Sequence, residues 1–361
     1  ASMFRPETYI GRVERELSFD APTLLIAHLT AAHWPYYVSD TPFGVSKPDG
    51  SGEHPLYHVG LETADEMFGQ MVALLRRKGA LENAVVVVLS DHGEAFGLPT
   101  DTPFGENNTP FSEGLRAPLE MKDHGHGQSV LSPSQYKVLL GFRSFGRQGE
   151  FKSSGREWSL PVTVEDIAPT ILDLLHTQGD PLHATGRSIA PLLRGDISVG
   201  PEFAMDRVRY TETDLSVLPS PGGGVDEAAT ARQNAMLFNV DYLTGRLEIS
   251  KRFEPLAIAF KERAAFTKTH LLAALPAGPY AHQYLLFDLT TGNGQLLLGP
   301  PGADQGDAQR LWNALHTYFD GELKPAVAVT RDDWARIDRE WREFLHTHES
   351  RQVATPPGSF A

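Results

Sequence analysis

The residues of this chain best suited to chemistry stand together at positions 90–94, Ser90-Asp91-His92-Gly93-Glu94. A carboxylate beside an imidazole offers one oxygen and one nitrogen ligand to a divalent cation, and Gly93 lets the chain turn sharply away. The run before them, AVVVVL at 84–89, predicts a strand. Four consecutive valines suit the interior strand of a parallel sheet covered on both faces. Acid and imidazole then fall just past the C-terminal edge of that strand, where the loops of an open α/β sheet form a ligand crevice. Asp91 and His92 are the expected metal-binding pair. An imidazole ligand is compatible with Zn or Mn; calcium prefers oxygen shells, though one nitrogen does not exclude it.

Several elements must position this pair. Residues 22–30, PTLLIAHLT, form a short apolar run with a turn-prone entry and predict a buried strand. Leu61, Ala64, Phe68, Met71, Val72 and Leu75 share one face of a helix of about five turns over 61–78. Arg76, Arg77 and Lys78 occupy its last turn, where cations suit the helix dipole, and Gly79 stops it. Strand, helix and strand in this order make a βαβ unit. A further strand is expected at 136–142 and a helix at 164–175. Thr163 is its N-cap, and Pro169 is tolerable only near the first turn. After Gly195 the texture changes to short apolar segments, such as 235–240 and 284–289, separated by Gly-containing turns. These suggest a smaller antiparallel sheet, followed by helices at 311–319 and 334–344 and a frayed tail at 352–361.

Composition narrows the function classes. The chain has 361 residues, 41% of them hydrophobic, enough for a sizeable core and more than one structural unit. A formal net charge of -14 argues against a duplex nucleic-acid partner. No apolar stretch approaches the roughly 18–20 residues needed to cross a bilayer, and residues 1–5 contain no signal-type apolar core. With no cysteine in the chain, disulfides, thiolate ligands and a cysteine nucleophile are excluded.

Six stretches, taken in chain order, resemble one family. Residues 57–97, from YHVGLETADEMF through VVVVLSDHGEAFG, resemble the helix–strand–SDHGE segment of sulfatases and of the related phosphoethanolamine and phosphoglycerol transferases. Upstream, HLTAAHWPY at 28–36 resembles the strand end of those enzymes. Downstream, HGQSVL at 126–131, LPVTVEDIAPTILDLL at 160–175, GRSIAPLL at 186–193 and YLLFDLTT at 284–291 resemble further family motifs. The chain is thus similar to the C-terminal portion of a sulfatase-like hydrolase or transferase of the alkaline-phosphatase superfamily. The resemblance implies an α/β/α sandwich around a mostly parallel sheet over residues 1–200. It also implies a smaller C-terminal antiparallel-sheet-plus-helix subdomain over 201–345, with a flexible tail at 346–361.

The resemblance further implies a divalent metal ion (Ca, Zn or Mn) and hydrolysis of a sulfuric ester. Phosphoethanolamine or phosphoglycerol transfer, phosphodiester hydrolysis and a non-catalytic binding role are the alternatives. His33 would contact the anionic ester oxygens, and His126 would sit near the metal or bind the leaving oxygen. Lys251, Lys261 or Lys268 could offer the ester a cation, Lys268 being the one carried forward as substrate-binding. The partner would be a small-molecule, glycan or lipid sulfate or phosphate ester, with no nucleic acid. A periplasmic or extracellular location, with any membrane tether in an N-terminal segment outside this sequence, is implied by resemblance alone. The family's nucleophile strand finds no counterpart here, so the expectation is a fragment or a degenerate relative. Other polar residues read as structural. His28 is a core histidine on its strand, His54 and His58 lie at the surface, His124 lies in an exposed loop, and Asp65 shares the inward helix face. The loop with Thr109, Ser112 and Arg116 lies on the wrong side of Asp91 and His92 to supply a nucleophile.

Overall fold

The computed structural model describes residues 6–33, 55–98, 101, 124–146, 151, 157–158, 160–176, 185–195, 207–214, 238–241, 243, 245–251, 254–276, 282–302, 304–320, 323 and 339. The chain divides into two compact units. One comprises Ala1–Asp91, Phe96–Leu98 and Val138–Met205; the other comprises His92–Ala95, Pro99–Lys137 and Asp206–Ala361.

In the first unit, helix α1 (Pro6–Glu16) lies against helix α2 (Pro55–Arg77). Ile10 and Val13 of α1 meet Met71 and Leu74 of α2 in one buried cluster. The buried stripe of α2 therefore runs through Met67, Met71 and Leu74, whereas Leu61 and Asp65 are exposed. The expected inward face is rotated because α1, which the apolar pattern did not reveal, chooses which side is covered. Helix α2 stops as expected, with Gly79 at φ +72° and the Ala80 N–H bonded to Leu75 O at 2.9 Å. Strand β1 (Ala84–Leu89) follows. It pairs antiparallel with β4 (Leu140–Phe145), in a register running from Ala84 opposite Phe145 to Leu89 opposite Leu140.

Two sequence expectations are corrected in this unit. The valine strand is not flanked by parallel neighbours among the described residues, because the chain returns directly alongside it. The Ser90 N–H bonds Leu139 O at 3.1 Å, and the Leu139 N–H bonds Ser90 Oγ at 3.0 Å. Residues 22–30 form no regular element and join no sheet among the described residues, leaving Leu24 78% and Ile26 81% exposed. His28 is accordingly exposed rather than a core histidine. An apolar alternation makes a strand only where a neighbour takes up its backbone groups.

The rest of the first unit is a knot tied by one acid. A single 3-10 turn (Val164–Asp166) leads into helix α4 (Ile167–Leu174), with helix α5 (Ala190–Leu193) beyond it. Pro169, third in α4, falls in the first turn, where its missing N–H costs nothing. Asp166 is fully buried and accepts the Thr163 N–H at 3.0 Å and the Arg187 N–H at 2.9 Å. The Thr170 hydroxyl takes the Ile189 N–H at 2.9 Å. Two sequence motifs 21 residues apart are thereby joined.

The second unit is built on a five-stranded antiparallel sheet in the order β11-β10-β9-β8-β5. These strands are β5 (Arg209–Glu212), β8 (Arg263–Phe266), β9 (His270–Pro276), β10 (His282–Asp288) and β11 (Gly294–Leu297). A separate hairpin pairs β6 (Phe238–Val240) with β7 (Leu247–Ile249), and a short helix α6 (Glu254–Ala259) precedes β8. The alternation of β9 sorts its side chains. Leu272 and Ala274 pack with Leu311 and Leu315 of helix α7 (Gly306–Tyr318). Leu271, Ala273 and Leu275 face the other way, onto Val130 and Leu131. A sheet buried on both faces explains why β9 reads as an unbroken apolar run.

That second covering layer moves a domain boundary. The sequence reading assigned residues 1–200 to one domain, yet His92–Ala95 and Pro99–Lys137 belong to the second unit. Val130, Leu131 and Tyr136 bury their side chains against its sheet, and this decides the membership. The strand expected at 136–142 is likewise displaced. Pro133 opens a one-turn helix α3 (Pro133–Tyr136), and the strand begins only at Leu140. The small antiparallel sheet and the helix near 311–319 stand where expected. The segments 334–344 and 352–361, His54 and the loop bearing Thr109, Ser112 and Arg116 lie outside the described residues, apart from Arg339, which is helical. No described helix is long and apolar enough to cross a membrane.

Candidate metal centre

The second unit gathers three potential ligands at one point: His92, Glu94 and His126 each offer a ligand atom, and these atoms lie within 4.8 Å of one another. The imidazoles of His92 and His126 stack with centroids 3.7 Å apart and planes inclined by 17°. His126 Nδ1 lies 2.6 Å from Glu94 Oε2. The Glu94 side chain is 8% exposed and that of His126 24%, so the pair is shielded from competing water.

The backbone explains the convergence. Glu94 runs directly into the two-residue strand β2 (Ala95–Phe96), and His126 directly follows the two-residue strand β3 (His124–Gly125); β2 pairs with β3. His92 lies in the bend after β1 and Glu94 two residues on, and their ligand atoms come within 4.8 Å of each other. Gly93, between them, passes so close to α3 that a Cβ would sit 2.0 Å from Ser134 O. Any other residue there would push the segment off its seat. On the opposite side, Gly127 adopts φ +64°, and its carbonyl accepts the Asp214 N–H at 2.8 Å.

Hydrogen bonds orient both rings. His92 Nδ1 lies 2.9 Å from Gly93 O, an acceptor, so Nδ1 carries the proton and Nε2 presents its lone pair. A carboxylate on His126 Nδ1 does the same for that ring and raises its basicity as a ligand. Two imidazoles and a carboxylate fit a divalent transition ion.

The residues expected from sequence are distributed as follows. His92 and His126 are brought together. Asp91 is exposed in the bend after β1 and stands outside the three-residue cluster. Glu94, which the sequence reading quoted within its motif but gave no role, supplies the third donor. His33 is exposed in the turn after Thr30, its N–H bonded to Thr30 O at 3.1 Å, and belongs to the first unit. Lys268 is exposed at the turn between β8 and β9, and Lys251 is exposed as well. Lys261 is paired with Glu212 at 2.6 Å. His58 is at the surface, as expected.

Residues 12–177 match the family model described as Sulfatase. That span contains His33, Asp91, His92, Glu94 and His126, but not Lys268. Over that span the chain is similar to sulfatases, and its mixed helices and strands are of the α/β class. An endo-4-O-sulfatase from Bacteroides thetaiotaomicron is 30% identical over 139 residues, which is 38% of this chain and 22% of that protein. Among solved structures, the phosphonate monoester hydrolase of Agrobacterium radiobacter aligns at 17% identity and a TM-score of 0.42, over 77% of this chain and 44% of its own. A protein solved with its substrate D-glucosamine-2-N,6-O-disulfate aligns at 13% identity and a TM-score of 0.39, over 75% and 42%. The chain spans less than half the length of each of these relatives.

Proposed function

We propose that this chain forms part of a metal-dependent hydrolase of sulfuric esters, with a divalent ion held by His92, Glu94 and His126 and with Asp91 as a neighbouring oxygen donor. The observation that carries this reading is the convergence of three donors on the segment directly after the valine strand, inside the span that matches the sulfatase family. Sulfate is favoured over phosphate ester because the family match and the 30%-identical relative are both sulfatases. Two nitrogens in the donor set favour Zn or Mn over Ca.

A bound divalent ion would polarise the ester oxygen and offset the negative charge that develops during cleavage. The chain's own residues would do the rest. Glu94 would hold the Nδ1 proton of His126 and so leave the Nε2 lone pair of that ring available to the ion. His92 is held by its own bond to Gly93 O. His33 and Lys268 are proposed as contacts for the anionic ester, the first to its oxygens and the second as a cation. The proposed location is periplasmic or extracellular, after the family.

Calorimetric titration of the chain with Zn, Mn and Ca tests the metal, and turnover of p-nitrophenyl sulfate against p-nitrophenyl phosphate by the protein that carries this chain tests the ester. Saturable binding of Zn or Mn that His92→Ala and His126→Ala each weaken supports the reading. Unchanged affinity in both variants would remove it.

A further inference from the structure

We propose that Gln135 is a positioning residue that sets the His92–Glu94–His126 triangle by clamping the two loops that carry it. The inference rests on the metal-site reading above. The two loops are far apart along the chain, since Glu94 and His126 are separated by 32 residues, and their closure has to be locked at some point other than the ligands themselves. Gln135 meets both. Its backbone carbonyl accepts the Gly93 N–H at 2.9 Å, between His92 and Glu94. Its side-chain Oε1 accepts the Gln128 N–H at 2.8 Å and the Ser129 N–H at 3.1 Å, two and three residues beyond His126. Gln135 is 4% exposed, and losing its acceptor would cost two part-buried amides a common partner.

The clamp is itself anchored. Tyr136, the next residue, packs against the sheet core with its ring 5.3 Å from Phe266, and burial pushes its hydroxyl up to about 12. The one-turn helix α3 therefore ties the core of the second unit to both ligand loops, through a residue that touches no ion. Ligand sites tolerate displacements of only about 0.5 Å. Loosening this turn should therefore affect the metal before it affects the fold.

The variants to compare are Gln135→Met, which keeps the volume and removes the acceptor, and Gln135→Glu, which restores an oxygen that both amides can reach. Two measurements apply to each: the nuclear Overhauser contact between the ring protons of His92 and His126, and calorimetric titration with Zn. Gln135→Met is expected to lose the ring–ring contact and to weaken Zn binding about tenfold while melting cooperatively; Gln135→Glu is expected to recover both. If Gln135→Met does not fold, Gln135→Asn, whose acceptor is one methylene short, carries the same comparison. An intact ring–ring contact in the variant lacking the acceptor overturns the proposal, as does Gln135→Glu behaving no better than Gln135→Met. A wild-type chain that binds no Zn sinks the metal-site reading alone, because the ring–ring contact still decides what Gln135 does.

Discussion

Two buried acids in this chain do opposite things. Asp166, in the first unit, is fully buried and directs its carboxylate at backbone amides, Thr163 N–H and Arg187 N–H. Glu94, in the second unit, is nearly as buried but directs an oxygen at the imidazole of His126. Both sit inside family-like motifs, and from the letters alone either could be a ligand. The difference lies in what the acid faces. A carboxylate that satisfies backbone donors is committed to the fold, since removing it strands those donors. A carboxylate set against a histidine ring tunes a group that can still bind something else. Burial alone therefore does not mark a functional acid.

The largest expected effect tests the structural side of this contrast. Asp166→Ala should destabilise the chain by about 3 kcal/mol, because two buried amides lose a charged acceptor, while the folded fraction keeps its Zn affinity. The urea midpoint and a titration in folding buffer measure the two halves. A stability close to wild type would show that Asp166 is not committed as argued.

A third buried group sharpens the comparison because its Nε2 has no hydrogen-bond partner among the described residues: His282 on β10. Burial, Arg263 and His316 push its pKa down to about 4. The unfolded chain then binds a proton between about pH 6.5 and pH 4 that the folded chain refuses, so stability falls as pH falls through this window. The loss should be on the order of 2 kcal/mol, somewhat below what the full shift implies. His282→Phe should flatten the pH dependence of the thermal midpoint over that range. An unchanged slope would count against the assignment.

On the functional side, His126→Ala and Glu94→Gln should weaken Zn binding about tenfold or more each, with thermal midpoints near wild type, because loop-end donors carry little packing. Equal loss in the double variant would show that the two act as one unit. The smallest effect is expected at Lys268→Ala. It should leave metal affinity unchanged and alter only the apparent affinity for an anionic ester, and a change in Zn binding would place it in the metal centre instead.

Much of this was legible in the sequence. The strand at 84–89, the helix ending before Gly79, the small antiparallel sheet after residue 200 and the helix near 311–319 follow from apolar periodicity, which survives wherever one face or both are buried. His92 and His126 stood out by type and by motif. Periodicity misplaced residues 22–30, because strand formation depends on a neighbour that the segment does not itself encode. It also rotated the buried face of α2, because α1 decides which side is covered. Glu94 was findable in principle, two positions from His92 in the same short motif, but the spacing does not say that His126 arrives opposite.

Composition and local pattern by themselves determined the α/β class, the absence of thiolate ligands and the presence of an acid–imidazole segment after an apolar strand. Only the tertiary structure brought ligand atoms of His92, Glu94 and His126 within 4.8 Å of one another and placed the loops bearing them in the second unit. A ligand set is made by closing chain over long separations. Here that closure is fixed by Val130, Leu131 and Tyr136 packing against the sheet and by Gln135 bonding both loops. These are non-local contacts, which no short window of sequence contains.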